Sequence, residues 1–322
     1  MGFFILLHHT IPIKPMNRYA QLFAHMACFA AYFIFGLNIV ICKDIANAQV
    51  LSPFQLFTIR SVVVAAIFWI LSAFTKKEHV PLHDLGKIFL ASMLGIYITQ
   101  LTFLKAITIT RTIDLSIIGS LTPIMTMFVA AIFLKEPITW KKALGVFISF
   151  VGITILVLNS ASVSSGVDST SPLGVLLIIT NCVSFALYLG IFRPVIERYS
   201  VITFMKWVFL FAALCSLPFT LRGLLTVNYL TIPTNVFWQI GFLIFFATFV
   251  AYFLIPFGQK SLRPTVISLY SYLQPIFAVT FSILTGVDTL SLPKVIALVL
   301  VLLGVYAVNR SRAAKQKLGI RN

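Results

Sequence analysis

Long apolar runs separated by short polar stretches recur along the whole chain. They lie near positions 20–42, 54–74, 87–108, 113–134, 142–159, 173–193, 203–221, 236–256, 265–286 and 292–309. Each holds about twenty residues, the number a helix needs to cross a hydrocarbon layer of roughly 30 Å. The runs are continuous, whereas barrel strands alternate apolar and polar positions over about ten residues, so a barrel is excluded. The pattern predicts an all-α integral membrane protein of about ten transmembrane helices. The longest polar connection, rich in Ser and Thr, runs from Asn159 to Pro172 and divides the spans into two groups of five. The expected organisation is an N-terminal segment 1–19, a first unit 20–159, a linker 160–172, a second unit 173–309 and a basic tail 310–322.

The second unit repeats the first. Pro123 in span four and Pro275 in span nine lie 152 positions apart, and at that offset Arg111 meets Arg263, Ser116 meets Ser268 and Glu136 meets Asp288. Thr139 likewise meets Ser291, and Gly152 meets Gly304. Each pair has a local reason. A mid-span proline removes a backbone hydrogen bond and kinks the helix. A hydroxyl just before a span can cap it, a carboxylate suits a helix N-terminus, and glycine permits close helix approach. Five spans is an odd number, so the second unit is expected upside down relative to the first. Inverted repeats place a solute site at their interface near the midplane, beside broken helices.

Composition removes several alternatives. Apolar residues make up 60% of the chain and mean hydropathy is +1.02, too apolar for a water-soluble fold. The net charge of +16 would suggest nucleic acid in a soluble protein. Here the basic residues flank the spans instead, and no nucleic-acid motif is present. Placing the N-terminus in the cytoplasm puts roughly eighteen basic residues inside and five outside. The expectation is a multi-pass protein of the inner (cytoplasmic) membrane with both termini cytoplasmic and a basic tail near anionic lipid. The four cysteines form no CxxC pair and read as small buried hydrophobes. The apolar patch Phe3–Leu7 is too short to span and makes a poor signal peptide, and Met16 is an alternative start.

Two stretches, 105–156 and 258–308, resemble the end of an EamA-type domain of the drug/metabolite transporter superfamily. The matching residues are Pro123, Glu136, Gly145 and Gly152 in the first stretch, and Pro275, Asp288 and Gly304 in the second. Gly36, Asn38 and Arg60 also resemble that family's first-domain pattern. Ala297 stands where the first copy has Gly145, and Asp288 replaces the more usual Glu. The resemblance implies two domains, ten spans, cytoplasmic termini and transport, commonly efflux, of amino acids, other metabolites or drugs. It does not name the cargo.

Polar groups inside spans are costly and therefore functional suspects. Asn38, Gln100, Tyr188, Tyr252, Tyr270 and Gln274 are the candidate solute contacts, with Asn181 and Gln239 also noted. Lys43 and Lys105 form an expected basic outer vestibule, and Arg60, near the outer end of span two, is a further candidate solute contact with snorkelling as its alternative. Such cations would favour a solute with an anionic group. No acid falls at a span centre, so no carboxylate proton relay is visible, and a GxxxxGK[ST] loop is missing. His79 and His83 are separated by Pro81 and make a poor metal site. No metal or cofactor is expected, and no catalytic set stands out. The sequence is read as a secondary transporter of a small organic solute, an exporter of amino acids or related molecules. An intramembrane enzyme acting on lipid and a non-transporting structural protein are the alternatives. The expected partners are the solute and the bilayer, and the Gly145–Gly152 face leaves a homodimer open.

Overall fold

The computed structural model describes residues 18–110, 115, 118–158, 171–229, 232–284 and 291–318, and every regular element among them is helical. The helices are α1 (Arg18–Ala48), α2 (Pro53–Ala73), α3 (Leu82–Ile109), α4 (Thr122–Phe133) and α5 (Trp140–Leu158). They continue with α6 (Pro172–Ile191), a short six-residue helix Arg193–Arg198, α7 (Val201–Leu225) and α8 (Thr234–Gln259). Next come α9, made of Pro264–Leu269 and Leu273–Leu284 joined by a 3-10 turn, and α10 (Leu292–Leu318). Six of these, α1, α2, α3, α6, α7 and α8, contain stretches long and apolar enough to cross a membrane; α4 and the apolar part of α10 are shorter. The repeat partners Arg111, Ser116 and Asp288 and most of the 160–172 linker lie outside the described residues.

The helix starts follow from local sequence. Ser52 accepts from the backbone N–H of Gln55 at 3.2 Å, the Gln55 side chain accepts from Ser52 N–H at 2.8 Å, and Pro53 follows in the first turn. The Ser171 and Ser200 hydroxyls cap α6 and α7 by accepting from Gly174 N–H at 3.0 Å and Thr203 N–H at 3.2 Å. Thr139 accepts from Lys142 N–H at 3.3 Å, the cap its position predicts. Phe23, Ile132, Trp140, Phe219 and Trp238 stand exposed around the outside. An apolar belt of this kind is unstable in water and matches a lipid-facing surface.

The packing is unchanged when each helix is exchanged for its counterpart in the other half. Helix α2 lies along α7 and α5 along α10; α1 packs on α8 and α9, and α6 packs on α3 and α4. At the α5–α10 seam Gly145 faces Gly304, while Gly152, one end further along, faces Ala297, so the two helices run antiparallel. A Cβ on Gly145 would sit 2.7 Å from the Gly304 carbonyl oxygen, which is why this contact needs glycine. Both α3 and α8 carry a π-helical stretch, Met93–Ile98 and Leu243–Val250. Thr99, just past the first stretch, and Thr248, within the second, each donate a hydroxyl five residues back, to Leu94 O at 2.6 Å and to Leu243 O at 2.7 Å. The hydroxyls satisfy carbonyls that the wider turn leaves misaligned.

At one end of the bundle, charged groups tie the connections together. Asp84 accepts from Arg198 Nη1 at 2.5 Å and from the Tyr199 hydroxyl at 2.6 Å. Glu78 accepts from both the N–H and the hydroxyl of Ser200. Lys260 Nζ donates to Tyr199 O at 2.5 Å. Glu136 pairs with Lys142 at 3.1 Å and with Arg263 at 3.5 Å, and it accepts from Thr265 Oγ1 at 2.7 Å. The bonds of Asp84, Glu78 and Glu136 to Arg198, Tyr199, Ser200, Arg263 and Thr265 join the connections of one half to those of the other, while Lys260–Tyr199 and Lys142–Glu136 lie within one half. Among the described residues no cluster of His, Cys, Asp and Glu is arranged to hold a metal.

Candidate solute-binding cavity

A cavity of about 130 Å³ lies between the halves, walled by α1, α3, α6 and α8 and by the breaks in α4 and α9. The first half supplies Tyr32, Asn38 and Gln100; the second supplies Asn181, Tyr252 and Gln274. Gln100 Nε2 donates to the Tyr252 hydroxyl across it. Asn181 Nδ2 donates to Thr99 O at 2.6 Å. The buried Gln100 Oε1 and Tyr32 hydroxyl have no protein partner. Buried polar groups are normally satisfied, and two left over at one cavity mark a place where polar atoms of a solute or water would be bound.

The proline breaks border the same space. The chain turns at Ser120 and Leu121, and Pro123 stands in the first turn of α4; in α9 the 3-10 turn Tyr270–Tyr272 precedes Pro275. Proline has no N–H for the carbonyl four residues earlier. At Pro123 that carbonyl is Gly119 O, and the Thr122 hydroxyl takes it over at 2.8 Å. The prolines therefore sit at the starts of helical segments rather than in the middle of continuous helices, and Pro275 lines the cavity beside Gln274.

A second, wider cavity of about 490 Å³ lies toward the end away from the charged cluster. Cys42, Lys43, Gln49, Leu56 and Leu104 line it.

Asn38, Gln100, Tyr252 and Gln274, four of the candidate solute contacts, line this one cavity. Tyr188 does not line the cavity. Its ring is 1% exposed and fills the notch left by Gly95, where an added Cβ would lie 2.4 Å from it. Tyr270 shares a hydrogen bond with His25 Nδ1 at 2.7 Å and stacks on Tyr32, one layer behind the wall. Lys43 is buried and donates to Ile107 O at 3.0 Å, whereas Lys105 is exposed and lines neither cavity, so the two do not make a joint vestibule. Arg60 does not snorkel. It is 2% exposed, and its Nε donates to Thr248 Oγ1 at 2.7 Å. Tyr32, Phe185 and Ser271 complete the wall without having stood out in the sequence. Their signal is weak because an aromatic or serine in a span is ordinarily packing.

Comparison with known proteins agrees with this architecture. The EamA-like transporter family model matches residues 22–158 and again 172–310. An uncharacterized transporter of Bacillus subtilis is 27% identical over 80% of this chain and 85% of its own length. One of Archaeoglobus fulgidus is 24% identical over 83% of this chain and 92% of its own length. A crystal structure with a TM-score of 0.70 and 15% identity covers 91% of this chain and 96% of that one, and establishes likeness of fold. The two family matches flank the Ser/Thr-rich linker and together span nearly all the described helices, so the chain is a multi-pass membrane protein, a transporter rather than an enzyme, and belongs to the EamA-like transporter family.

Proposed function

We propose that the protein is a secondary transporter that exports a small organic metabolite, an amino acid or a related solute, across the cytoplasmic membrane. It would work by alternating access between two inverted five-helix repeats, with both termini cytoplasmic. The observation that carries the reading is the central cavity, whose polar wall comes equally from both halves and borders both proline breaks. The antiparallel glycine seam of α5 and α10 and the matching π segments of α3 and α8 support the inverted repeat. Broken helices at a midplane site are the arrangement alternating access uses. Bonds between connections of the two halves at the charged end, opposite the wider cavity, fit a state closed on one side.

The test is flux in proteoliposomes over a panel of labelled amino acids and small carboxylic acids. Saturable flux that falls at least about tenfold in Gln100→Ala, with the fold kept, is the expected result. Flux that is unsaturable, or equal in the variant, overturns the reading. Uptake by inside-out vesicles from cells, set against uptake by intact cells, reports the direction.

A further inference from the structure

Two buried polar atoms at the central cavity lack partners, and their chemistry specifies a ligand. Tyr32 is 1% exposed and Gln100 8%, and both line the cavity. The Tyr32 hydroxyl makes no hydrogen bond, so an O–H donor is unused. Gln100 gives Nε2 to the Tyr252 hydroxyl, and its Oε1, at the other corner of the planar amide, accepts nothing. Thr99, Thr122 and Ser271, which also line the cavity, are committed to Leu94 O, Gly119 O and Ser268 O. Leaving a buried hydroxyl or carbonyl unpaired is costly, and folded proteins rarely do so. Here one donor and one acceptor are left over at the same space.

The two belong to one wall. The Tyr32 ring meets Phe35 edge-on at 5.7 Å between centroids, and Phe35 meets Tyr252 edge-on at 5.4 Å. Tyr252 in turn holds Gln100. Phe103 and Phe185 add aromatic surface around the same space. Among the described residues no charged side chain lines it. An ionic group entering would lose its hydration without gaining a counter-ion there. An uncharged polar group would lose only hydrogen bonds that the free donor and acceptor replace. The size suits a single ring. The cavity holds about 130 Å³, and an apolar cavity of about 150 Å³ takes one benzene.

We infer that the transported solute is an uncharged, ring-sized amide whose carbonyl accepts from the Tyr32 hydroxyl and whose N–H donates to Gln100 Oε1. This rests on the transport reading above and narrows it: of amino acids and their relatives, those with an uncharged polar head fit this wall. An amide carries the complementary acceptor and donor on one carbon, in a plane that can lie against aromatic rings. A carboxylate has no donor for Gln100 Oε1 and would turn its own lone pairs toward that oxygen. A ketone satisfies Tyr32 alone, and an alkylammonium satisfies Gln100 alone.

The experiment measures binding to the purified full chain in nanodiscs by thermal unfolding, since a ligand of the native state raises Tm by mass action. Two series of near-isosteric probes are used: nicotinamide, nicotinate and 3-acetylpyridine, and benzamide, benzoate and acetophenone. In at least one series the amide is expected to bind about tenfold or more tightly than both its acid and its ketone. The acid brings an unpaired charge, and the ketone leaves Gln100 Oε1 unpaired. Tyr32→Phe keeps the ring and removes a hydroxyl that has no partner in the protein. The unliganded variant is therefore expected to hold or raise Tm while its amide affinity falls about threefold to tenfold, the loss of one neutral hydrogen bond. An acid or ketone that binds as tightly as its amide in both series overturns the inference. So does full amide affinity in Tyr32→Phe, or a lower Tm of that variant without ligand. Flux of the labelled amides in proteoliposomes is then set beside that of the amino acids. Saturable amino-acid flux with no amide binding overturns the inference and leaves transport standing. No saturable flux of any compound overturns both.

Discussion

Gln100 and Tyr252 occupy equivalent positions in the two halves and are hydrogen-bonded to each other across the cavity. They are 152 residues apart, the offset that superimposes Pro123 on Pro275. The bond joins one half to the other across the cavity. Both residues are buried and both line the cavity.

Separate and joint substitutions at this pair distinguish a structural bond from a gate. Tyr252→Phe strands the Gln100 amide and is expected to lower stability by about 1 kcal/mol. The double variant Gln100→Leu/Tyr252→Phe replaces both partners with apolar groups and is expected to recover most of that loss, while solute flux stays at least about tenfold down. Thermal unfolding and flux on the four proteins of the cycle check this. A double variant that recovers transport along with stability would show that the pair only packs.

Much of this was legible beforehand, for reasons that differ by residue. The 152-residue register was carried by Pro, Gly and capping residues, whose roles are local and survive in a sequence. Asn38, Gln100, Tyr252 and Gln274 stand out in the sequence because amides and hydroxyls in a span need partners, and all four line the cavity. Tyr188 and Tyr270 carried the same signal but pack elsewhere. A span apolar on every side gives no rotational phase, because lipid and protein interior select the same side chains. The sequence leaves Arg60 open between a solute contact and snorkelling, because snorkelling depends on what covers the helix, and α8 covers it. The π segments have no sequence signature of their own, and Thr99 and Thr248 are ordinary span residues until the carbonyls they serve are seen.

Thr248 is expected to hold the buried Arg60 in place. Its hydroxyl links the guanidinium to the π segment and does not line the cavity. Thr248→Ser keeps the hydroxyl and is expected to match wild type in stability. Thr248→Val removes both bonds and is expected to lose about 1–2 kcal/mol. Thermal unfolding of the two variants beside wild type separates these. Equal behaviour of the two variants would mean the hydroxyl does not set the guanidinium.

The α5–α10 seam predicts a sharp contrast between glycines. A Cβ on Gly304 would lie 2.4 Å from the Gly145 carbonyl oxygen and 2.8 Å from the Ser149 backbone nitrogen, groups that cannot swing aside. Gly304→Ala is expected to destabilise by about 1–3 kcal/mol through forced separation of the helices. Gly86 in α3 and Gly241 in α8 have no atom within 4 Å of an added Cβ. Alanine there is expected to be neutral or to stabilise by up to about 1 kcal/mol, since it reduces unfolded-chain freedom in a helix. Melting temperatures of the three single variants in one detergent decide it, and equal shifts would remove close packing as the cause.

Acid should loosen the charged end in a defined window. Burial of the Glu136 carboxyl pushes its pKa up, but Lys142, the Thr265 hydroxyl and Arg263 outweigh that and hold it below its ordinary 4.5. Glu78 is likewise held below 4.5: desolvation pushes it up, and bonds from Thr203 and Ser200 with the charge of Lys260 prevail. A carboxylate whose folded pKa is depressed contributes stability above its unfolded value, and that contribution disappears as pH falls through the folded one. Stability is therefore expected to be flat with respect to these two groups from pH 7 to about pH 5 and to fall below about pH 4.5. Glu136→Gln is expected to lose on the order of 3 kcal/mol at pH 7, because Lys142 and Arg263 then lose their anion, and to show a shallower acid slope than wild type. Melting temperatures from pH 7 to pH 3 test both parts. A variant that matches wild type at pH 7 and keeps the full acid slope would show that the Glu136 cluster is solvated and does not hold the two halves together.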